Sequence, residues 1–485
     1  MSNLSELLPT GGGQNAVDFV ATGTLASGQA VILKTDGTVA AITGVTEGAG
    51  TPVVFENARS DSCSAVYDSS NNKVVITYTD LGNSYYGTAV VGTVSGASIS
   101  FGTPVVFESA TVNATTATFD SNLNKVVIAY GDGGNSYYGT SIVGTVSGTS
   151  ISFGTAVVFE NASATNLGST FDSNRNRVVL SFRDVGNSNK GTAVVGTVSG
   201  TSISFFTAVV FETAAVSGNT APVFDTANNK VVIAYRDEGN SSYGTAIVGT
   251  ISAGGNLSFG TAVVFNNSSS DEIGSAFDSN SNKVVIVYRD AGNSYYGTAI
   301  VGTVSGTSIS FGAETVFNSA SMYYPSPTFD STNNKVVISY TDVGNSSYGT
   351  TIVGTVSGTS ISFGSEVVFE SAATAYTAAT YDSTNGKTVI AYQDQGNSSY
   401  GTAVVFQLAS SNNTSFIGIT SEAISSGATG AINTYGGINA VQTGLTIASD
   451  YYVQADGSLS TTSTSPAIKV GQAVSATTIN MKDLT

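Results

Sequence analysis

Tyrosines placed in turn-like segments are the side chains of this chain that best suggest a binding site. Six of them depart from an otherwise repeated sequence: Tyr85, Tyr137, Tyr295, Tyr323, Tyr324 and Tyr376. Tyrosine beside Ser, Gly and Asn makes adaptable contacts at a low entropic cost. We therefore predict that these six tyrosines bind a ligand. The single tyrosine that recurs in most of the turns is better explained by packing against a neighbouring element.

Three arginines form a second candidate group, and an aspartate follows each of them: Arg183, Arg236 and Arg289. Converging arginines can hold a carboxylate through paired hydrogen bonds. Ion pairs within the protein are nevertheless the commoner origin of such groups. We interpret these arginines as structural, each with its neighbouring aspartate.

Catalytic and metal chemistry is restricted by the composition. The chain has no histidine and one cysteine, Cys63, which excludes an intrachain disulfide, a Ser-His-Asp triad and a Cys-His pair. Candidate carboxylates recur at equivalent positions of the repeat, so no pair stands out as the two acids of a glycosidase. We interpret the recurring Asp-x-Gly-Asn segments as structural turns. A Ca²⁺ site built from their Asp and Asn oxygens is the alternative, although their spacing is not that of an EF-hand. We predict no catalytic residue, no cofactor and no metal site.

The charge balance excludes other classes of partner. The formal net charge is −17, which opposes binding to phosphates and to anionic membranes. No apolar run approaches the ~18 residues of a membrane helix. The first residues lack the basic and apolar parts of a secretory signal. We expect no nucleic acid partner, no membrane insertion and no signal peptide.

A repeat organises the elements that position these side chains. One aspartate recurs at Asp68, Asp120, Asp172, Asp225, Asp278, Asp330 and Asp382, in steps of 52 or 53 residues. Each unit has four strand-like segments, and four antiparallel strands per ~50 residues are typical of a propeller blade. The second segment is apolar on both faces, as expected for a strand between two blades. A stacked solenoid is the alternative, and it would need polar capping repeats.

The ends of the array favour a closed ring. It begins at residues 52–55 with half of a fourth strand and ends at residues 401–406 with a third strand. The first segment can complete the last blade and remove exposed strand edges. We predict an all-β, seven-bladed propeller over residues 51–410, with four-stranded blades and the N-terminal strand closing the seventh.

The two ends of each blade differ in variability. The segments before the recurring aspartate diverge most, for example residues 56–65, 266–276 and 318–328. We interpret them as loops on the same face as the tyrosine-bearing turns; divergence fits either tolerance or binding function. On the opposite face, a basic residue follows each recurring aspartate. We interpret this face as a solvated rim of exposed ion pairs, each contributing ~0–1 kcal/mol.

Both flanks are also β-like. Residues 30–34 and 38–42 are apolar runs joined through Asp36 and Gly37, a strong hairpin signal. Three more strand-like runs lie between residues 411 and 485. We predict that residues 1–50 and 411–485 pack together as one small β domain into which the propeller is inserted. Two separate tails are the alternative.

The flanks resemble a module seen in tailed-phage virion proteins, especially fibre and decoration proteins. The resembling motifs are ATGTLASGQAV at 21–31, DGT at 36–38, FIGI at 416–419, GGIN at 436–439, SDYYV at 449–453, DGSLS at 456–460 and VGQA at 470–473. The resemblance implies a non-enzymatic particle component, of the tail or the capsid, that is assembled in the host cytoplasm. Residues 1–50 and 411–485 would bind other virion proteins.

The propeller would then face outward and bind a host surface, a glycan or another receptor, through its tyrosines. A homo-oligomer is compatible with this arrangement. One alternative is a cellular adhesin or lectin with the same binding face. Another is a glycan-processing enzyme.

Overall fold

A computed structural model describes residues 15–463 and 467–482 of the 485-residue chain. The chain folds into two compact units, one made of residues 48–407 and the other of the described residues that precede and follow this range. Parts of the predicted small β domain, residues 1–14, 464–466 and 483–485, lie outside the described residues. Among the described residues, no helix is long and apolar enough to cross a membrane.

Residues 48–407 form an all-β propeller, and this predicted fold class is confirmed. In the part of the chain that the structure describes, one pairing pattern of four antiparallel strands occurs seven times. A long strand, here called a spanning strand, ends one blade with its first half and begins the next with its second half. The spanning strands are Val53–Asp68, Val105–Asp120, Val157–Asp172, Val209–Asp225, Val263–Asp278, Thr315–Asp330 and Val367–Asp382.

Three further kinds of strand complete each blade, and blades are numbered by their second strands. The second strands are Lys73–Asp80, Lys125–Asp132, Arg177–Asp184, Lys230–Asp237, Lys283–Asp290, Lys335–Asp342 and Lys387–Asp394. The third strands are Tyr86–Ser95, Tyr138–Ser147, Lys190–Ser199, Tyr243–Ile251, Tyr296–Ser305, Tyr348–Ser357 and Tyr400–Gln407. In the order of the blades, the short outer strands are Ser98–Phe101, Ser150–Phe153, Ser202–Phe205, Leu257–Phe259, Ser308–Phe311, Ser360–Phe363 and Gly48–Ala49.

Short 3-10 helices join the second and third strands. They are Leu81–Asn83, Gly133–Asn135, Val185–Asn187, Glu238–Asn240, Ala291–Asn293, Val343–Asn345 and Gln395–Asn397. The aspartate before each helix caps it; Asp80 Oδ1, for example, accepts a hydrogen bond from the Asn83 N–H at 3.1 Å. The Asp-x-Gly-Asn sequence is therefore a structural turn, in which the aspartate satisfies backbone N–H groups.

The first spanning strand closes the ring. Val54 pairs with Thr402, and Val53 pairs with Ala403 in the third strand of blade 7. Ala49 pairs with Phe406 of the same strand. The propeller therefore begins at residue 48, three residues before the predicted boundary, because this short segment supplies the missing outer strand.

The core lies between neighbouring blades. In blade 1, Val74 and Ile76 pack in one cluster with Val389 of blade 7. Val75, on the opposite face of the same strand, packs with Val126 of blade 2. Burying one such side chain contributes ~1.5–3 kcal/mol. The apolar second strand is thus enclosed by two blades, as its sequence predicts.

The divergent segments before the recurring aspartates are strands, so their interpretation as loops is wrong. Residues 56–65 lie inside the first spanning strand, whose pairing shifts register between Asp61 and Ser64. Such a bulge keeps the backbone hydrogen-bonded on both sides of an extra residue. The small polar residues that resemble a loop are accommodated by this bulge.

The recurring aspartates do not form exposed ion pairs, and that interpretation of the opposite rim is wrong. Asp68 is buried, and its Oδ1 accepts hydrogen bonds from the N–H groups of Ser70 and Asn71 at 3.0 and 3.1 Å. Lys73 Nζ instead donates to Thr93 Oγ1 at 2.9 Å. The aspartate therefore accepts hydrogen bonds from the backbone of its own turn and is not paired with the lysine.

The described residues of the second unit form three small sheets. One has the order Ala16–Val20, Thr429–Thr434, Phe416–Thr420, Ala30–Leu33 and Val39–Ala41. Another has the order Ile438–Asn439, Thr478–Asn480, Ile468–Ser475, Asp450–Val453 and Leu459–Ser460, and Gly44–Val45 pairs with Ser410–Ser411. A 3-10 helix spans Asn413–Ser415. Both flanks contribute strands to the first sheet, and the predicted hairpin at Asp36 and Gly37 is confirmed.

Candidate functional site

The seven spanning strands surround a central cavity of about 540 Å³. Its lining consists mostly of small Ser, Thr, Ala, Gly and Asn side chains, with Tyr324 and Tyr376 among them. The bulges lie at the end of the propeller that also carries the 3-10 turns, because the N–H of Val112 donates to the carbonyl of Tyr85. We call this end, made of the seven bulges and seven turns, the channel mouth.

Each bulge contains one residue in the left-handed backbone region. These residues are Ser62, Ala114, Asn166, Gly218, Glu272, Tyr324 and Tyr376, with φ between 48° and 63°. Gly and Asn adopt this conformation most easily, whereas a bulky residue there is strained. Strained residues concentrate at functional sites. The glutamate and the two tyrosines therefore indicate that a functional site lies in blades 5 to 7 of the mouth.

Four predicted tyrosines and one arginine form a continuous row in these blades, which we call the aromatic arc. The ring centroids of Tyr324 and Tyr376 are 4.9 Å apart, and those of Tyr323 and Tyr324 are 6.1 Å apart. The Arg289 guanidinium carbon lies 4.3 Å from the Tyr295 centroid and 4.5 Å from the Tyr323 centroid. These two cation–π contacts help to hold the arginine in place.

The remaining two predicted tyrosines have different positions. Tyr85, which is 51% exposed, is near Arg59 at the end of the arc. The Tyr137 ring packs close to Gly133 of its own turn in blade 2, so it lies apart from the arc. The geometry thus brings together five of the six tyrosines and separates the sixth.

The arginines do not pair with their neighbouring aspartates, so that part of their interpretation is wrong. Arg236 binds Asp271, and its Nε lies 3.1 Å from Glu238 Oε1. Arg289 NH1 is 3.9 Å from Asp271 Oδ2. Asp271 therefore bridges two arginines.

The aspartates that follow the arginines in the sequence accept hydrogen bonds from other groups. Asp290, for example, accepts hydrogen bonds from the Gly292 N–H and from Asn266 Nδ2, both at 2.9 Å. Successive residues of a strand point to opposite faces, so an arginine and the aspartate after it point away from each other and contact different residues.

A third charged group lies beside Tyr376 and was not found from the sequence. Arg59 Nε and NH2 donate to Asp61 Oδ1 and Oδ2 at 3.0 and 3.1 Å. Gln393 Nε2 of blade 7 also donates to Asp61 Oδ1, at 2.5 Å, and to the Ser60 carbonyl at 3.0 Å. The only sequence signal was that these residues depart from the repeat.

Two groups of the mouth have shifted pKa values. Burial raises the pKa of Glu272, although its Oε2 accepts a hydrogen bond from the Tyr324 N–H at 3.0 Å. Burial, followed by the electrostatic effects of Tyr376 and Glu272, raises the pKa of Tyr324 to about 12. The Tyr324 hydroxyl is therefore protonated at neutral pH.

The described residues contain no group of three or more Cys, Asp or Glu side chains that could hold a metal ion. The mouth instead combines aromatic faces with charged and amide groups that donate and accept hydrogen bonds. This arrangement suits a ligand that presents both an apolar face and hydroxyl groups.

Comparison with known proteins gives a match of structure and none of sequence. No protein family and no curated protein matches the chain. The BP39L lectin from Burkholderia pseudomallei is similar in structure, with a TM-score of 0.55 and 10% identity over 74% of this chain and 98% of that chain. AofleA from Arthrobotrys oligospora aligns with a TM-score of 0.41 and 12% identity over 73% and 100%. The chain therefore has the fold of a β-propeller like that of BP39L.

Proposed function

We propose that this protein is a glycan-binding, non-enzymatic propeller of the lectin type that binds its ligand at the channel mouth. The observation that carries the proposal is the aromatic arc. It places two tyrosines in a strained backbone conformation, with their rings in tilted contact and hydrogen-bonding groups beside them. Tyrosine rings provide contact area to an apolar face at low entropic cost, and their hydroxyls remain available to polar groups.

The likeness to a lectin supports this proposal. BP39L shares the propeller fold, and it is described as a lectin. At 10% identity the likeness extends to the fold alone, so the ligand site is argued from the residues of this chain. On these grounds the lectin interpretation has more support than the virion interpretation.

Binding to an oligosaccharide array, followed by calorimetry on the best ligand, tests the proposal. A variant with both Tyr324→Ala and Tyr376→Ala is expected to bind at least about tenfold more weakly, since one aromatic contact contributes ~0.5–1.5 kcal/mol beyond its burial. Tyr137→Ala is the control, because it removes an exposed tyrosine from the turn of blade 2, outside the arc. Equal losses in both variants, or no glycan bound by the wild type, would reject the proposal.

An enzymatic function is the second candidate, and one observation favours it. Glu272 combines burial with a raised pKa, as the general acid of a glycosidase does. Its Oε2, however, receives the backbone N–H of Tyr324, and Asp271 beside it is held by two arginines. We expect the bound oligosaccharide to remain intact after prolonged incubation; product appearing with wild type and not with Glu272→Gln would establish hydrolysis.

The virion role is a finer proposal that rests on the resemblance of the flanks. In its favour, residues of both flanks share a sheet and a core that includes Val31, Val39, Ile417 and Ile432. This unit would bind other virion proteins, and the propeller would bind the host. Mass spectrometry of purified particles from the source of the gene should detect the chain; its presence only on cells would support the adhesin interpretation.

A further inference from the structure

We infer that the glycan bound at the channel mouth is uncharged, and that Asp61 accepts hydrogen bonds from its hydroxyl groups. The inference rests on the proposed function and specifies its class of ligand. It follows from how the arginines of the mouth are used, and from what remains free around Tyr376.

The arginines that border the arc are already neutralised by carboxylates. Arg59 makes two parallel hydrogen bonds to Asp61. Arg236 and Arg289 share Asp271, and Arg236 also lies beside Glu238. The two-pronged contact of Arg59 satisfies most of the charge and geometry of its guanidinium, and Arg236 lies between two carboxylates.

Arg289 is the most constrained of these side chains. Its guanidinium carbon lies over the rings of both Tyr295 and Tyr323, and its Nε donates to Ser321 Oγ at 3.1 Å. A ligand carboxylate would have to compete with Asp271, whose Oδ2 lies 3.9 Å from Arg289 NH1. An incoming anion therefore meets arginines in and beside the arc that each already have a carboxylate nearby.

The surroundings also oppose an anion. Asp61, Asp271 and Glu238 balance the three arginines, and the whole chain carries a net charge of −17. Arg183 of blade 3 lies outside the arc. Hydrogen bonds from Ser217 and Ser242, assisted by Arg236 and Arg183, lower the pKa of Glu238 and keep it ionised. A carboxylated sugar would thus be repelled rather than steered to the mouth.

Hydroxyl groups, in contrast, have an acceptor beside the tyrosines. A carboxylate has about four lone-pair positions. Asp61 uses three of them, two for Arg59 and one for Gln393. The remaining position lies near Tyr376, because Gln393, which binds Asp61, pairs in the sheet with Ala375, the residue before Tyr376. A sugar ring stacked on these tyrosines can therefore donate a hydroxyl to Asp61.

The test compares each neutral oligosaccharide with the same oligosaccharide carrying a terminal sialic or uronic acid, on the full-length wild type. We expect the neutral form to bind at least about tenfold more tightly, with affinity nearly unchanged between about 0.05 and 0.5 M salt. Preferential binding of the carboxylated forms would overturn the inference and leave the proposed function standing. Binding to no glycan would overturn both.

Asp61→Asn sharpens the test, because it removes one charge and keeps the shape of the side chain. We expect about five- to tenfold weaker binding of the neutral ligand and a gain for the carboxylated one. Asp18→Asn, an exposed change of equal charge outside the propeller unit, is the control. Unchanged affinity in Asp61→Asn, with an unchanged melting temperature, would remove the assigned acceptor and overturn its role.

Discussion

The two halves of the channel mouth differ in character although they share one scaffold. In blades 2 to 4 the left-handed bulge residues are Ala114, Asn166 and Gly218, whereas in blades 5 to 7 they are Glu272, Tyr324 and Tyr376. The backbone of the bulge is the same in both halves, with φ between 48° and 63°. The comparison teaches that the scaffold specifies where a side chain is displayed, and the individual blade specifies which one.

The largest expected effect comes from damaging the scaffold that both halves share. A Cβ on Gly154 would lie 1.8 Å from the carbonyl oxygen of Thr201 in the next hairpin. We expect Gly154→Ala to lower the free energy of unfolding by ~2–4 kcal/mol, since backbone must move to accommodate it. Urea denaturation measures the change.

A matched glycine distinguishes crowding from backbone strain. Gly148 has a positive φ and open space around its α-carbon, so Gly148→Ala should cost only ~1 kcal/mol. Equal effects of the two changes would contradict the crowding argument. The chain itself supports the crowding argument. Phe206 stands in blade 3 at the position equivalent to Gly154, and its ring packs against Gly255 in the turn of the next blade, whose sequence differs from that of the other turns.

The second effect separates binding from stability in the aromatic half. Tyr324→Asn keeps a residue that tolerates the left-handed conformation and removes the ring. We expect about three- to tenfold weaker glycan binding, together with a change in stability within ~1 kcal/mol, because relief of backbone strain offsets the lost ring contacts with Tyr323 and Tyr376. Calorimetry and thermal unfolding measure the two quantities.

The same exchange in the other half should affect stability only. Ala114→Asn relieves the same backbone conformation in blade 2, so we expect a gain of a few tenths to ~1 kcal/mol and unchanged glycan affinity. A loss of affinity in this variant would show that the ligand also contacts the half with small residues.

The smallest effect is the pH dependence that Glu272 introduces. Burial raises its pKa in the folded state above the usual 4.5, so the unfolded chain loses this proton at a lower pH than the folded chain does. The stability contributed by the neutral carboxyl is present below pH 4.5 and declines as the pH rises through the folded-state pKa. Glu272→Gln removes this decline, so its melting temperature relative to wild type should increase from pH 4 to pH 8. A constant difference would contradict the assignment.

Sequence reasoning predicted the propeller because the repeat period and the two incomplete ends are local, countable features. It also identified the tyrosines of the arc, since they break the repeat. It gave the wrong partners for the arginines, because strand alternation decides which side chains meet. It also interpreted the bulged strands as loops, because their small polar residues resemble loop sequences. The contact between Asp61 and Gln393 joins residues 332 positions apart and exists only after the ring is closed.

Closure of the ring by Val53 and Val54 creates a junction between blades 1 and 7, and residues of the candidate site lie on both sides of this junction. Asp61 belongs to blade 1, whereas Tyr376 belongs to blade 7, so a sugar held by both would link the first and last blades. Ligand occupancy would then slow the exchange of the Val54 amide hydrogen, and the propeller would resist opening most when it is loaded.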